Sequence, residues 1–91
     1  MEKYALITGA TRGIGKQIAI TLAKQGYNIA LNYRKENEEL ENTKKEIEEI
    51  GVQVLAVKGD VANFEECENF VKQVIERFGQ IDVLVNNAGI T

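Results

Sequence analysis

The sequence predicts an α/β fold in which four parallel strands are joined by three crossover helices. Four short apolar runs alternate with three longer segments of helical periodicity. The runs are apolar almost without interruption, as strands buried on both faces are. Between the first run and the first helical segment lies Thr8-Gly9-Ala10-Thr11-Arg12-Gly13-Ile14-Gly15, a glycine-rich strand-to-helix turn.

The first strand is expected over residues 4–8 and the first helix over 14–25. Ile14, Ile18 and Leu22 share one side of that helix, small Ala19 and Ala23 lie beside them, and Gly26 is expected to cap its end. A second strand over 28–33 is followed by a helix over 36–50. Leu40, Thr43, Ile47 and Ile50 form the apolar face of that helix, and Gly51 stops it. The third strand, 53–58, precedes Asn63, which caps a third helix with Glu66 in capping-box spacing. Cys67, Phe70, Val71, Val74, Ile75 and Phe78 form the stripe of that helix, Gly79 ends it, and the fourth strand covers 82–86. There is no internal repeat, no Gly/Ser-rich linker and no proline, so the chain reads as one folding unit without a domain boundary.

Composition narrows the function classes. The net charge is -3, with acids concentrated between residues 36 and 49 as a solvated helix face, so nucleic-acid binding has no electrostatic support. No apolar stretch reaches the roughly 18 residues that span a bilayer, and residues 1–3 lead directly into the first strand with no room for a signal peptide. A cytoplasmic protein without membrane partners is expected. Cys67 is the single cysteine, which excludes an internal disulfide or a cysteine metal cluster, and a small buried hydrophobe is its expected role. No metal site is expected, and no histidine is available as a general base.

Glycines at 9, 13 and 15 allow a sharp turn, bring bare backbone near a ligand, and let the helix pack against the strand it leaves. A helix N-terminus adds unpaired N–H groups and positive dipole charge, which suit a pyrophosphate. A tight turn also favours glycine for purely structural reasons, so a second signal is needed. Val83-Leu84-Val85-Asn86-Asn87-Ala88-Gly89 supplies it, as an apolar strand that ends in two amides and two small residues.

Together, T-G-x-x-x-G-x-G after the first strand and N-N-A-G after the fourth resemble the short-chain dehydrogenase/reductase family, over about residues 4–91. Within it, Arg12, Asn32-Tyr33-Arg34, Gly59-Asp60-Val61 and Asn87-Ala88-Gly89-Ile90-Thr91 are most similar to the 3-oxoacyl-[acyl-carrier-protein] reductases, with bacterial glucose dehydrogenases nearly as close. The resemblance implies a Rossmann-like sheet of order 3-2-1-4, with the first two helices on one face and the third on the other. Strand order then reverses between strands one and four, and both motifs should face one ligand at that switch point.

Family chains run to about 250 residues, which makes these 91 the expected amino-terminal, NADP-binding portion of a single truncated Rossmann-like domain. The family's Ser, its Tyr-x-x-x-Lys pair and its assisting Asn fall downstream of the N-N-A-G strand. Tyr4, Tyr27 and Tyr33 are followed four residues on by Thr8, Leu31 and Asn37. No catalytic residue is therefore assigned in this chain, and enzyme activity is expected of the parent.

The resemblance makes Gly9, Ala10, Thr11, Arg12, Gly13, Ile14 and Gly15 the pyrophosphate loop. NAD-selective sheets carry Asp or Glu at the end of the second strand, but here Tyr33 and Arg34 stand there. A guanidinium binds a 2′-phosphate that a carboxylate would repel, and Arg12 is a second cation within the loop, so NADP is expected over NAD. By resemblance Asp60 accepts from the adenine amino group, Val61 packs on the ring, and Asn87, Ala88 and Gly89 run beside the adenosine ribose. A turn or capping role for Asp60, and a strand-bridging role for Asn86 or Asn87, are the alternatives. The implied parent reduces a 3-oxoacyl-[acyl-carrier-protein] substrate with NADPH in fatty acid synthesis and is a tetrameric homo-oligomer. A sugar or polyol dehydrogenase of the same family, or a non-catalytic nucleotide-binding fragment, is the alternative.

Overall fold

The computed structural model describes residues 2–9, 13–60 and 63–87. Its elements run β1 (Lys3–Ile7), α1 (Gly13–Lys24), β2 (Tyr27–Tyr33), α2 (Glu38–Ile50), β3 (Val54–Lys58), α3 (Phe64–Phe78) and β4 (Val83–Val85). The strands form one parallel sheet in the order β3-β2-β1-β4, as the sequence led us to expect. Ala5 pairs with Ile29 on one side and Val83 on the other, so β1 lies in the sheet interior and β4 at an edge.

Because strand side chains alternate between faces, two cores form. Ala5, Ile7, Ile29 and Leu31 meet Ala19 and Ala23 of α1 and Leu40 and Ile47 of α2. On the opposite face Leu6, Ala30 and Val57 meet Phe70 and Val74 of α3. The helix placement therefore follows the expected two-and-one division.

The contact face of α1 differs from the expected stripe. Its buried line is Gly15, Ala19 and Ala23, one position on from Ile14, Ile18 and Leu22. Small residues at i, i+4 and i+8 let the helix axis lie close to the sheet, and the larger side chains flank the contact. Ile18 and Leu22 pack at its border and Ile14 remains 66 % exposed.

Caps set the helix limits. The Asn37 carboxamide oxygen accepts from the Leu40 N–H at 2.9 Å, so α2 begins at Glu38, two residues later than expected. The Asn63 carboxamide accepts from the Glu66 N–H at 3.1 Å, as expected. The reciprocal half of the capping box is redirected: the Glu66 carboxylate accepts from the Asp60 N–H at 3.3 Å, while the Asn63 N–H donates to the Asp60 carbonyl at 2.9 Å. Glu66 thereby ties α3 to the loop after β3. Gly51 and Gly79 close their helices at φ 106° and 85°, left-handed backbone that a Cβ would strain. Cys67 is half-buried rather than in the core, because α3 turns Phe70 and Val74 inward instead. Among the described residues no helix is long and apolar enough to cross a membrane.

Candidate functional site

The chain leaves β1 through Thr8 and Gly9 and re-enters regular structure at Gly13, the first residue of α1. Gly9 and Gly13 both have φ of 63°, the left-handed region that suits glycine. Among the described residues nothing lies within 4 Å of where a Cβ at Gly13 would stand. The first turn of α1 carries no acidic side chain that would repel an anion. Ile14 sits exposed at this end and Gly15 is buried against the sheet.

All four strand ends are joined across this region by polar side chains. Asn32, 3 % exposed near the end of β2, accepts from the Gly9 N–H at 2.9 Å and donates to the Gly59 carbonyl at 3.0 Å. Thr8 accepts through Oγ1 from the Asn87 N–H at 2.9 Å, and the Asn87 amide donates to the Gly9 carbonyl at 3.1 Å. Thr8 Oγ1 also lies 3.2 Å from the Asn86 carboxamide oxygen. Asn86 and Asn87 therefore do bridge β4 to β1. Every buried side-chain polar atom among the described residues has a partner. Thr8 and Asn32 were not among the site residues expected from sequence; the signal available was a polar residue ending an apolar strand.

At the end of β2, Tyr33 is half-buried against the α1–α2 core, while Arg34 is exposed. Desolvation, followed by the nearby Glu36 charge, holds the Tyr33 phenol above its ordinary value, so it stays neutral at physiological pH. Arg34 Nε lies 3.8 Å from an Asp60 carboxylate oxygen, with the Arg34 side chain 77 % exposed. An ion pair so open to water contributes about 0–1 kcal/mol, so the guanidinium is free to turn toward an added anion. Arg34 and Asp60, both expected at the adenosine end of the site, are thus neighbours. Ala10, Thr11, Arg12, Val61, Ala88 and Gly89, also expected at the site, lie outside the described residues.

The donor set suits a dinucleotide. Backbone N–H groups and the Arg34 guanidinium are donors to phosphate oxygens, and the Asp60 carboxylate is an acceptor for N–H groups. Among the described residues no cluster of three or more metal-ligating side chains occurs.

A glycine turn at the switch point between β1 and β4 of a 3-2-1-4 sheet defines an α/β protein with a dinucleotide-binding type of fold. The short chain dehydrogenase family profile matches residues 3–91, and the chain belongs to that family. Over all 91 residues it is 48 % identical to the 3-oxoacyl-[acyl-carrier-protein] reductase FabG of Staphylococcus epidermidis and 50 % identical to that of Staphylococcus aureus. The chain spans 37 % of the length of each of these relatives. Among solved structures, it superimposes on an alcohol dehydrogenase from Thermococcus sibiricus complexed with 5-hydroxy-NADP, at TM-score 0.84 and 46 % identity, covering 92 % of this chain and 36 % of that one. Acetoin dehydrogenase from Enterobacter cloacae matches at TM-score 0.89 and 34 % identity, covering 98 % of this chain and 35 % of that one.

Proposed function

We infer that this chain binds NADP(H) and supplies the cofactor-binding portion, residues 1–91, of a short-chain reductase that acts on 3-oxoacyl-[acyl-carrier-protein] in fatty acid synthesis. The observation that carries the cofactor assignment is Arg34 at the end of β2, exposed and only loosely paired with Asp60 at 3.8 Å. The identity to two FabG proteins over the whole chain supports the substrate class. A reading as an alcohol or polyol dehydrogenase of the same family is favoured by the 46 % identity to the Thermococcus sibiricus alcohol dehydrogenase. A bound nicotinamide would exchange a hydride with the substrate carbon, giving it up in ketone reduction and accepting it in alcohol oxidation.

The role of these residues is to hold and orient. Gly9, Gly13 and Gly15, with the side-chain-free backbone they provide, and Ala10, Thr11, Arg12 and Ile14 between them, receive the pyrophosphate at the α1 terminus. Arg34 and Arg12 bind the 2′-phosphate, Tyr33 borders the ribose, and Asp60 and Val61 take the adenine. Asn87, Ala88 and Gly89 line the path toward the nicotinamide. A cytoplasmic homo-oligomeric parent is part of the same reading.

Calorimetric titration with 2′,5′-ADP and 5′-AMP tests it. The expected result is tighter binding of 2′,5′-ADP. Arg34→Ala should remove most of that difference, since a charge-assisted hydrogen bond contributes about 1.5–3 kcal/mol. Equal affinities in the unmutated chain would exclude the NADP assignment.

A further inference from the structure

We propose that Asn32 is a positioning residue that presets the nucleotide loop before any ligand arrives, by clamping the pyrophosphate end of the site to its adenine end. The proposal rests on the dinucleotide reading above and deepens it. Strand order explains why this residue can do so. β2 lies between β1 and β3, so a side chain near its carboxyl end reaches the loops that follow both neighbours. The Asn32 carboxamide uses its oxygen on the Gly9 N–H at 2.9 Å and its nitrogen on the Gly59 carbonyl at 3.0 Å. The Tyr33 carbonyl next to it accepts from the Gly59 N–H at 2.9 Å, so Gly59 is gripped at both of its backbone polar groups.

Two consequences follow for a ligand. The Gly9 N–H is occupied, which leaves the first-turn N–H groups of α1 as donors to a pyrophosphate and fixes where the turn toward them begins. Gly59 immediately precedes Asp60, so the same carboxamide fixes the spacing between the glycine turn and the carboxylate assigned to the adenine. The task needs one donor and one acceptor on a short, planar, buried group. Aspartate lacks the donor and alanine lacks both. Loss of the clamp leaves the contacts to the ligand intact but makes binding order the loop, which weakens affinity without removing any ligand-touching atom.

Asn28 supplies the control. It stands at the other end of β2, 5 % exposed, donates to the Lys3 carbonyl at 3.4 Å and accepts from the Gln53 N–H at 2.9 Å. It performs the same bridging of β1 and β3 but far from the candidate site, so its loss reports on the sheet alone.

The experiment compares Asn32→Ala, Asn32→Asp and Asn28→Ala with the unmutated 91-residue protein in two measurements. Amide hydrogen exchange by NMR, without nucleotide, should show the Gly9 N–H exchanging faster in Asn32→Ala while the Ile29 and Leu31 amides of β2 stay protected. NADPH titration should show affinity weakened about tenfold in both Asn32 variants and changed less than about twofold in Asn28→Ala, even where Asn28→Ala lowers the melting temperature as much. Should Asn32→Ala fail to fold, Asn32→Asp carries the test, because it keeps the acceptor for Gly9 and replaces the donor to Gly59 with a carboxylate oxygen that repels that carbonyl. Unchanged NADPH affinity in a folded Asn32 variant, or equal weakening in Asn28→Ala, overturns the positioning role alone. An unmutated protein that binds neither NADPH nor 2′,5′-ADP overturns the dinucleotide reading, and the positioning role with it.

Discussion

Replacing Thr8 with valine removes one oxygen atom from the junction between β1 and β4 and little else. The two side chains have nearly the same shape, both are branched at Cβ, and both suit a strand. Thr8 is 5 % exposed, and its Oγ1 accepts from the N–H of Asn87, itself 4 % exposed, at 2.9 Å. In the variant that N–H faces a methyl group. The Val85 carbonyl, 3.4 Å from the Thr8 hydroxyl, keeps the Thr8 backbone N–H as donor at 3.0 Å, so it is not orphaned. The main cost is thus one buried, unsatisfied donor, about 1–3 kcal/mol. For a domain of this size 1 kcal/mol moves the melting temperature by about 4–8 °C, so a loss of about 2 kcal/mol lowers it by roughly 8–16 °C. Thermal unfolding followed by circular dichroism at a fixed protein concentration measures this. Thr21→Val, at an exposed position of α1, serves as the control and should shift stability by less than about 0.5 kcal/mol. A drop of less than about 2 °C in Thr8→Val would falsify the view that this hydroxyl holds β4 in place.

Other expectations test separate parts of the fold. Leu84 is 62 % exposed on the edge strand β4, and Ile14 is 66 % exposed in the first turn of α1. Strand edges with exposed apolar side chains pair with further chains, so the protein should self-associate at about 10–100 µM, and Leu84→Lys should reduce this. Light scattering after size exclusion decides it, and a sharp monomer peak for the unmutated protein refutes it. Ala19 is fully buried between α1 and the sheet, and Ala19→Leu should lower stability by about 1–3 kcal/mol in urea unfolding, because the helix must move away. An unchanged midpoint would mean that the small-residue line does not set the helix approach. The Asp82 carboxyl is held below its ordinary value of 3.8 first by the Gln80 amide and then by the Tyr4 N–H. A depressed folded pKa gives stability that is present above the ordinary value and is lost as pH falls through the folded one. The difference in melting temperature between the unmutated protein and Asp82→Asn should therefore narrow below about pH 3.8, and a gap independent of pH argues against the Gln80 and Tyr4 contacts.

The order of elements, the cap of the third helix, the glycine stops and the location of the glycine turn are legible in the chain itself. Local signals carry them: asparagines and glycines that punctuate helices, and apolar runs too continuous to face water. Asn63 acts on an N–H three residues away, as its spacing indicates, whereas Asn37 does the same at a position the helical pattern alone runs past, so α2 begins two residues later than expected. The family resemblance, carried by motifs at the ends of the first and fourth strands, added the strand order and hence the switch point.

Tertiary structure decided what depends on residues far apart in sequence. Periodicity placed Ile14, Ile18 and Leu22 on a common side of α1, but the sheet accepts the adjacent Gly15, Ala19 and Ala23 line, because the closest helix approach is set by the smallest residues and not by the most apolar ones. The polar junctions lay still further from view. Thr8 meets Asn87 across a separation of 79 residues, and Asn32 meets Gly9 across 23 and Gly59 across 27. No spacing rule encodes such pairs. They exist because parallel pairing in the order β3-β2-β1-β4 brings the carboxyl ends of the strands to one edge, where the backbone groups of the turning loops lose their ladder partners and must find side chains instead.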